Sequence, residues 1–262
     1  MNGGQPERQV LIIDAEWERS RVVAQILRAT REYRVSWAAT HAEGWMLLEA
    51  TNPAIVFVEL KPPRLDGLPF TRELRTSDLA CRKAPVIMLA SQPTEVVIRA
   101  ARDAGVDEFL RTPFNVRDLM RRVEAVTQKP RAWIETVNYA GPDRRRFSAP
   151  DYAGPRRRRT DLGQASGGDG RIMEILRLIK LAMDAINTRP REALRSMQAQ
   201  ADALKAVAVS RGDITLASGA AELKDYLDTA SRSGVLSREL LASRLAAFSG
   251  GRKADDGRSD AA

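Results

Sequence analysis

From Gln9 to about Gln128, short apolar runs alternate with stretches whose apolar residues recur at helical spacing. The runs are Val10–Ile13, Arg34–Ala38, Ala54–Val58, Pro85–Leu89 and Glu108–Leu110, each short enough to be a strand covered on both faces. Between and after them lie Glu18–Thr30, with Val22, Ile26 and Leu27 on one face, His41–Ala50, Leu68–Thr76, Glu95–Ala104, and Val116–Val126 with Leu119, Met120 and Val123. Strict alternation of five strands and five helices predicts an α/β fold, a five-stranded doubly wound parallel sheet.

The pattern then changes twice. From 129 to 170 the periodicity stops, and Gly, Pro, Ser, Asp and Arg take over. This stretch holds a repeat: Tyr139-Ala-Gly-Pro-Asp-Arg-Arg-Arg146 returns thirteen residues later as Tyr152-Ala-Gly-Pro-Arg-Arg-Arg-Arg159. From Arg171 a helical period resumes through Ile172, Ile175, Leu176, Ile179 and Met183, then Leu194, Met197, Ala201 and Leu204, with further helices around Leu216–Tyr226 and Leu240–Phe248. Breaks at Thr188-Arg-Pro190, Arg211-Gly-Asp213 and Ser233-Gly-Val235 make this a small antiparallel all-α bundle. The expected division is an N-terminal tail (1–8), an α/β domain (9–128), an Arg-rich low-complexity linker (129–170), a helical bundle (171–249) and a disordered tail (250–262).

Charge sharpens this division. The net charge is +8, yet residues 1–129 carry 19 basic and 17 acidic groups and residues 161–262 carry 15 and 14. Residues 130–160 carry 8 against 3, so the excess belongs to the linker. One cysteine, Cys81, excludes an internal disulfide, and one histidine, His41, leaves no Cys/His cluster for zinc, so no metal and no cofactor is expected. The first nine residues have no apolar core of a signal peptide, and no apolar run spans a membrane, so a cytoplasmic protein without integral membrane association is expected.

Candidate chemistry lies in Glu59-Leu-Lys-Pro-Pro63-Arg-Leu-Asp-Gly67, together with Leu11-Ile-Ile-Asp14, Ala84-Pro-Val-Ile-Met88, Ala104-Gly-Val-Asp-Glu-Phe109 and Thr112-Pro-Phe114. In order and spacing these resemble the receiver domain of two-component response regulators, the CheY-like, flavodoxin-like family, across the first 128 residues. The resemblance implies phosphoryl transfer to an aspartate, with acidic groups at the first strand holding Mg²⁺ and a Lys and a Ser/Thr stabilising the phosphoryl oxygens. Against that pattern, the acceptor place holds Glu59, one methylene longer than Asp, and positioning supplies most of such catalysis. Asp14 remains of the acidic pair, but Ala15 follows it; Ala90 stands where Thr/Ser is usual, and Thr112 where Lys is usual. Arg111 is the substitute charge at hand. Together these departures predict a pseudo-receiver with weak Mg²⁺ affinity. Glu59 reads either as a fixed mimic of the phosphorylated state or as a leftover acid solvated at the mouth of the sheet. Phe109 falls at the family's aromatic switch position, and a buried strand Phe is equally a core residue.

Arg144, Arg145, Arg146, Arg156, Arg157, Arg158 and Arg159, beside Tyr139 and Tyr152, are candidate anion-binding residues, since guanidinium groups suit phosphate and Tyr stacks on bases. A solvated basic linker is the plainer reading. Ala201-Asp202-Ala-Leu204-Lys205-Ala206 faintly resembles the phosphotransfer helix of histidine phosphotransfer domains, with Asp202 in the histidine place, so a helical docking or dimerisation module is expected. No nucleotide-binding loop or cyclase signature is present, and no basic recognition helix stands out. The reading is a non-enzymatic adaptor of a phosphorelay pathway that binds a kinase, phosphotransfer or other signalling protein, with Glu95–Ala104, Glu108–Leu110 and Val116–Val126 as the output face by resemblance. Alternatives are a regulator phosphorylated in an atypical way, on Asp66 for instance, or an effector that binds nucleic acid or a cyclic dinucleotide through the arginines. The bundle also suits a homodimer.

Overall fold

The computed structural model describes residues 7–144 and 168–250. They fall into two units, one holding residues 7–134 and 139–144 and the other 135–138 and 168–250.

The first unit is built on β1 (Arg8–Ile13), β2 (Tyr33–Ala38), β3 (Ile55–Lys61), β5 (Val86–Ala90) and β6 (Glu108–Arg111), all parallel, in the order β2-β1-β3-β5-β6. A two-residue β4 (Leu65–Asp66) turns back antiparallel on the end of β3. The helices α1 (Trp17–Ala29), α2 (His41–Thr51), α3 (Gly67–Thr76), α4 (Glu95–Ala104) and α5 (Val116–Gln128) connect the strands. Alternate strand residues feed two cores. Val10, Ile12, Phe57, Ile87 and Leu89 pack with Val23 and Leu27 of α1 and Leu119 and Val123 of α5. Leu11, Ile13, Val56, Val58 and Met88 pack with Leu48, Leu74 and Ala101 of α2, α3 and α4. The period of two, applied to strands buried on both sides, thus gives one layer of helices per face.

Local signals set the helix ends. Thr40, Thr94 and Asn115 cap α2, α4 and α5 by accepting from Glu43, Val97 and Asp118 N–H, and Gly105 closes α4 in the left-handed conformation. Gly67 opens α3 where a Cβ would lie 2.8 Å from the carbonyl oxygen of Glu59, so only glycine lets the helix start this close to the end of β3.

The linker expected to begin at 129 opens instead with a hairpin, β7 (Trp133–Thr136) and β8 (Tyr139–Pro142), closed by Asp143 N–H donating to Ala132 O at 2.7 Å. β8 is the first Tyr-Ala-Gly-Pro block itself. Turn-forming composition masked it, because the strand is held by glycine and tyrosine rather than by β-branched residues.

In the second unit α6 (Gly168–Asp184), α7 (Pro190–Ser210), α8 (Ile214–Ser233) and α9 (Arg238–Gly250) follow in sequence. Ile172, Ile175, Ile179, Met197, Ala201, Leu204, Leu223, Leu227 and Leu241 form their common core. α8 runs seven residues past the Tyr226 at which its sequence pattern fades.

Candidate functional site

The site lies at the carboxyl ends of β1 and β3, where order reverses across β1 and doubly wound sheets place their ligands. Asp14 follows β1 and is fully buried; Glu59, in β3, is 3% exposed. Glu59 is therefore not an acid solvated at the mouth of the sheet.

Both acids face Arg19, in the first turn of α1. Its Nε donates to Asp14 Oδ2 at 2.5 Å, and its Nη2 donates to Asp14 Oδ1 and to Glu59 Oε1. Backbone completes the set: Glu16 N–H donates to Asp14 Oδ1 at 2.8 Å, and Ala15 N–H to Glu59 Oε2 at 3.2 Å. Burial works against the guanidinium charge, but the bonds and attraction to Asp14 and then Glu59 outweigh it, and the Arg19 pKa lies above its ordinary value. Trp37 Nε1 donates to the backbone oxygen of Asp14 at 2.9 Å, with the Trp17 ring set edge-on against Trp37 at 4.9 Å. Lys61 at the end of β3 pairs with Glu16 at 2.5 Å, which holds the Glu16 carboxyl below its usual range.

The remaining predicted positions gather around the same edge with little chemistry. Ala90 ends β5 and is buried, and Thr112 N–H donates to its carbonyl at 2.9 Å. Arg111 is exposed at the end of β6, and the Thr112–Pro113 peptide is cis. Phe109 is partly buried against the core that contains Leu11 and Met88. Asp66 caps α3 through Leu68 N–H at 3.1 Å. The residue that sequence reasoning missed is Arg19. Its signal was a cation in the first turn of a helix, the end where the macrodipole disfavours it, five residues after the acid that follows the first strand.

The residues present do not fit the Mg²⁺ ion that the fold implies. Each of the four carboxylate oxygens of Asp14 and Glu59 already accepts from a donor of the chain, and a guanidinium lies between the acids. Among the described residues no group of three or more His, Cys, Asp and Glu gathers in a metal-holding arrangement.

The arginine candidates separate. Arg144 is exposed but held in place: its guanidinium lies 3.8 Å over the Tyr139 ring and pairs with Asp103 at 3.1 Å. Arg145, Arg146, Arg156, Arg157, Arg158 and Arg159 lie outside the described residues, as does Tyr152. In the bundle, Asp202 is an exposed residue of α7 paired with Lys224 at 2.7 Å.

A parallel doubly wound sheet thus carries two buried acids at the carboxyl ends of β1 and β3. Residues 10–124 match the family model of the response regulator receiver domain. Over 122 residues the chain is 30% identical to the transcriptional regulatory protein PdtaR of Mycobacterium tuberculosis, covering 47% of this chain and 58% of that one. Over 137 residues it is 25% identical to the transcriptional regulatory protein SrrA of Staphylococcus aureus, covering 52% and 54%. The chain thus spans little more than half the length of these relatives. Similar solved structures include the chemotaxis protein CheY4 of Vibrio cholerae, with 20% identity, TM-score 0.44, and 46% of this chain and 99% of that one covered. Another is a CheY-like receiver domain protein of Methanospirillum hungatei, with 22% identity, TM-score 0.43, and 48% and 97% covered. Among the described residues no helix is long and apolar enough to cross a membrane.

Proposed function

We propose that this receiver domain does not accept a phosphoryl group and that the chain acts in two-component signalling by binding protein partners, as a non-catalytic adaptor. The observation that carries the reading is the state of the Glu59 carboxylate. It stands at the acceptor place, yet one oxygen is held by Ala15 N–H and the other by Arg19. In-line attack on a phosphodonor needs a free carboxylate oxygen and cations that neutralise the incoming charge. Here the nearest cation is committed to the acids, and Ala90 and Thr112 supply neither a hydroxyl at the fourth core strand nor an ammonium at the fifth.

A binding role is supported by apolar side chains left outside. Val96 (76% exposed) and Ile98 on α4 and Val116 at the start of α5 lie on the output face named above. The test is incubation of the full chain with acetyl phosphate and Mg²⁺, read by intact mass. An unchanged mass is expected; an adduct of roughly 80 Da that alkali removes overturns the reading.

A further inference from the structure

Two buried carboxylates side by side need a counter-charge, because isolated ions in a low-dielectric interior cost several kcal/mol each. In this chain the counter-charge is covalently part of α1. Arg19 is 22% exposed in its side chain, while the acids it bridges are 0% and 3% exposed. Helix formation does not place it there. A cation in a first turn opposes the macrodipole, and the α1 N-cap, Glu16, makes no side-chain cap bond, so the start of α1 is held by the Asp14 bonds from Arg19 and Glu16 N–H. A planar fork with two parallel N–H bonds fits one carboxylate bidentately and leaves a second edge for another acid, which an ammonium at the same place would not do.

We infer that Arg19 is a built-in cation that takes the place of the divalent ion at this site, closing it and making the domain's conformation independent of Mg²⁺. The inference deepens the adaptor reading and rests on the assignment of Asp14 and Glu59 to the receiver's acidic site. It also makes the site latent. Without the guanidinium, Asp14 and Glu59 would present two buried oxygen ligands with a net negative charge, the donor set a hard divalent cation takes.

The experiment uses the full chain and its Arg19→Ala variant, with Arg19→Gln as a second variant should the first fail to fold. Mn²⁺ is titrated as a paramagnetic probe and the tryptophan fluorescence is followed, to which Trp37 contributes with its indole bonded to the Asp14 carbonyl; Mg²⁺ then competes. The unchanged chain should show no saturable quenching at millimolar metal, and the variant should bind Mn²⁺ at least about tenfold more tightly and release it to Mg²⁺. Adding Asp14→Asn and Glu59→Gln to the variant should abolish the response. Equal affinity in the unchanged chain and the variant would overturn the inference, as would a folded variant that binds no metal. Metal binding by the unchanged chain without a phosphoryl adduct would sink the Arg19 inference alone; an adduct would sink the adaptor reading.

Discussion

At the two ends of one sheet the chain buries an arginine beside carboxylate, and the partners differ. At the amino edge, Arg75 of α3 is 1% exposed; Nε and Nη2 donate to Gly105 O at 3.0 and 2.9 Å, Nη1 to Arg82 O and Ala84 O, both at 2.7 Å, and Nη2 to Asp107 at 2.8 Å. Asp107 in turn accepts from Val86 N–H at 2.8 Å. At the carboxyl edge, Arg19 serves two acids. A guanidinium satisfied by three carbonyls ties chain segments together, whereas one shared by two acids neutralises their charge. Burial pushes the Arg75 pKa down and the Asp107 pKa up, each against the attraction between them, so the clamp is held by hydrogen bonding rather than by a surplus of ion pairing.

Breaking the amino-edge clamp should do the most harm. Arg75→Met leaves three carbonyls without their guanidinium donor and Asp107 with the Val86 N–H bond alone against its charge, and a loss of about 3–5 kcal/mol is expected. All four tryptophans, Trp17, Trp37, Trp45 and Trp133, belong to the first unit, so urea denaturation of the full chain followed by tryptophan fluorescence reads this unit by itself. Added Mg²⁺ should restore nothing.

Next in size is Gly141→Val. The β8 strand approaches Gly105 so closely that a Cβ at 141 would lie 2.7 Å from the Tyr139 hydroxyl oxygen and 3.0 Å from Gly105 Cα. Overpacking of about 1–3 kcal/mol should appear in the same denaturation curve. A neutral result would show that β8 is not part of what stabilises this edge.

Arg19→Gln should cost less, about 1–2 kcal/mol, because the guanidinium is partly exposed and the two acids keep their bonds from Glu16 and Ala15 N–H. It differs from Arg75→Met in kind as well. Millimolar Mg²⁺ should raise the midpoint of Arg19→Gln and leave that of Arg75→Met unchanged, and identical responses would erase the distinction between the two arginines.

These two sites also differ in how far the sequence exposed them. The parallel sheet was legible because strands buried on both faces are apolar throughout, as in Val10–Ile13 and Val86–Ala90, and their helices repeat at 3.6 residues. Glu59 was legible as a candidate through its spacing to Pro63 and Gly67, and Ala15, Ala90 and Thr112 through their places after Asp14, at the end of the fourth core strand and before Pro113. Arg19 and Arg75 were not, since each looks like a polar residue of an amphipathic helix until a contact 40 or 32 residues away in sequence is known. The hairpin was hidden for a related reason. Tyr139, Gly141 and Arg144 act through Pro142, Gly105 and Asp103, and a local window sees only a basic turn-rich stretch.

The smallest effect, and the one that separates the edges by sign, concerns His41 at the start of α2. Its Nε2 is buried without a hydrogen-bond partner and its ring lies 5.1 Å from Phe70. Burial lowers its pKa from 6.5, opposed by Asp66 and Glu73, so its contribution to stability is present above pH 6.5 and is lost as pH falls through and below that value. Asp107, whose folded pKa is raised, acts oppositely: stability is present at low pH and lost as pH rises from 3.8 through the raised value. The two slopes oppose each other, so the raw acid curve of the chain does not assign either. The difference between the unchanged chain and His41→Phe does, because Asp107 is common to both. Between pH 7.5 and 5.5 the unchanged chain should lose somewhat more stability than the variant, by under about 0.5 kcal/mol for a residue that is only partly buried. Parallel curves would mean that protonation of His41 is accommodated by Asp66 and Glu73, and that acid sensitivity in this window does not arise at the carboxyl edge.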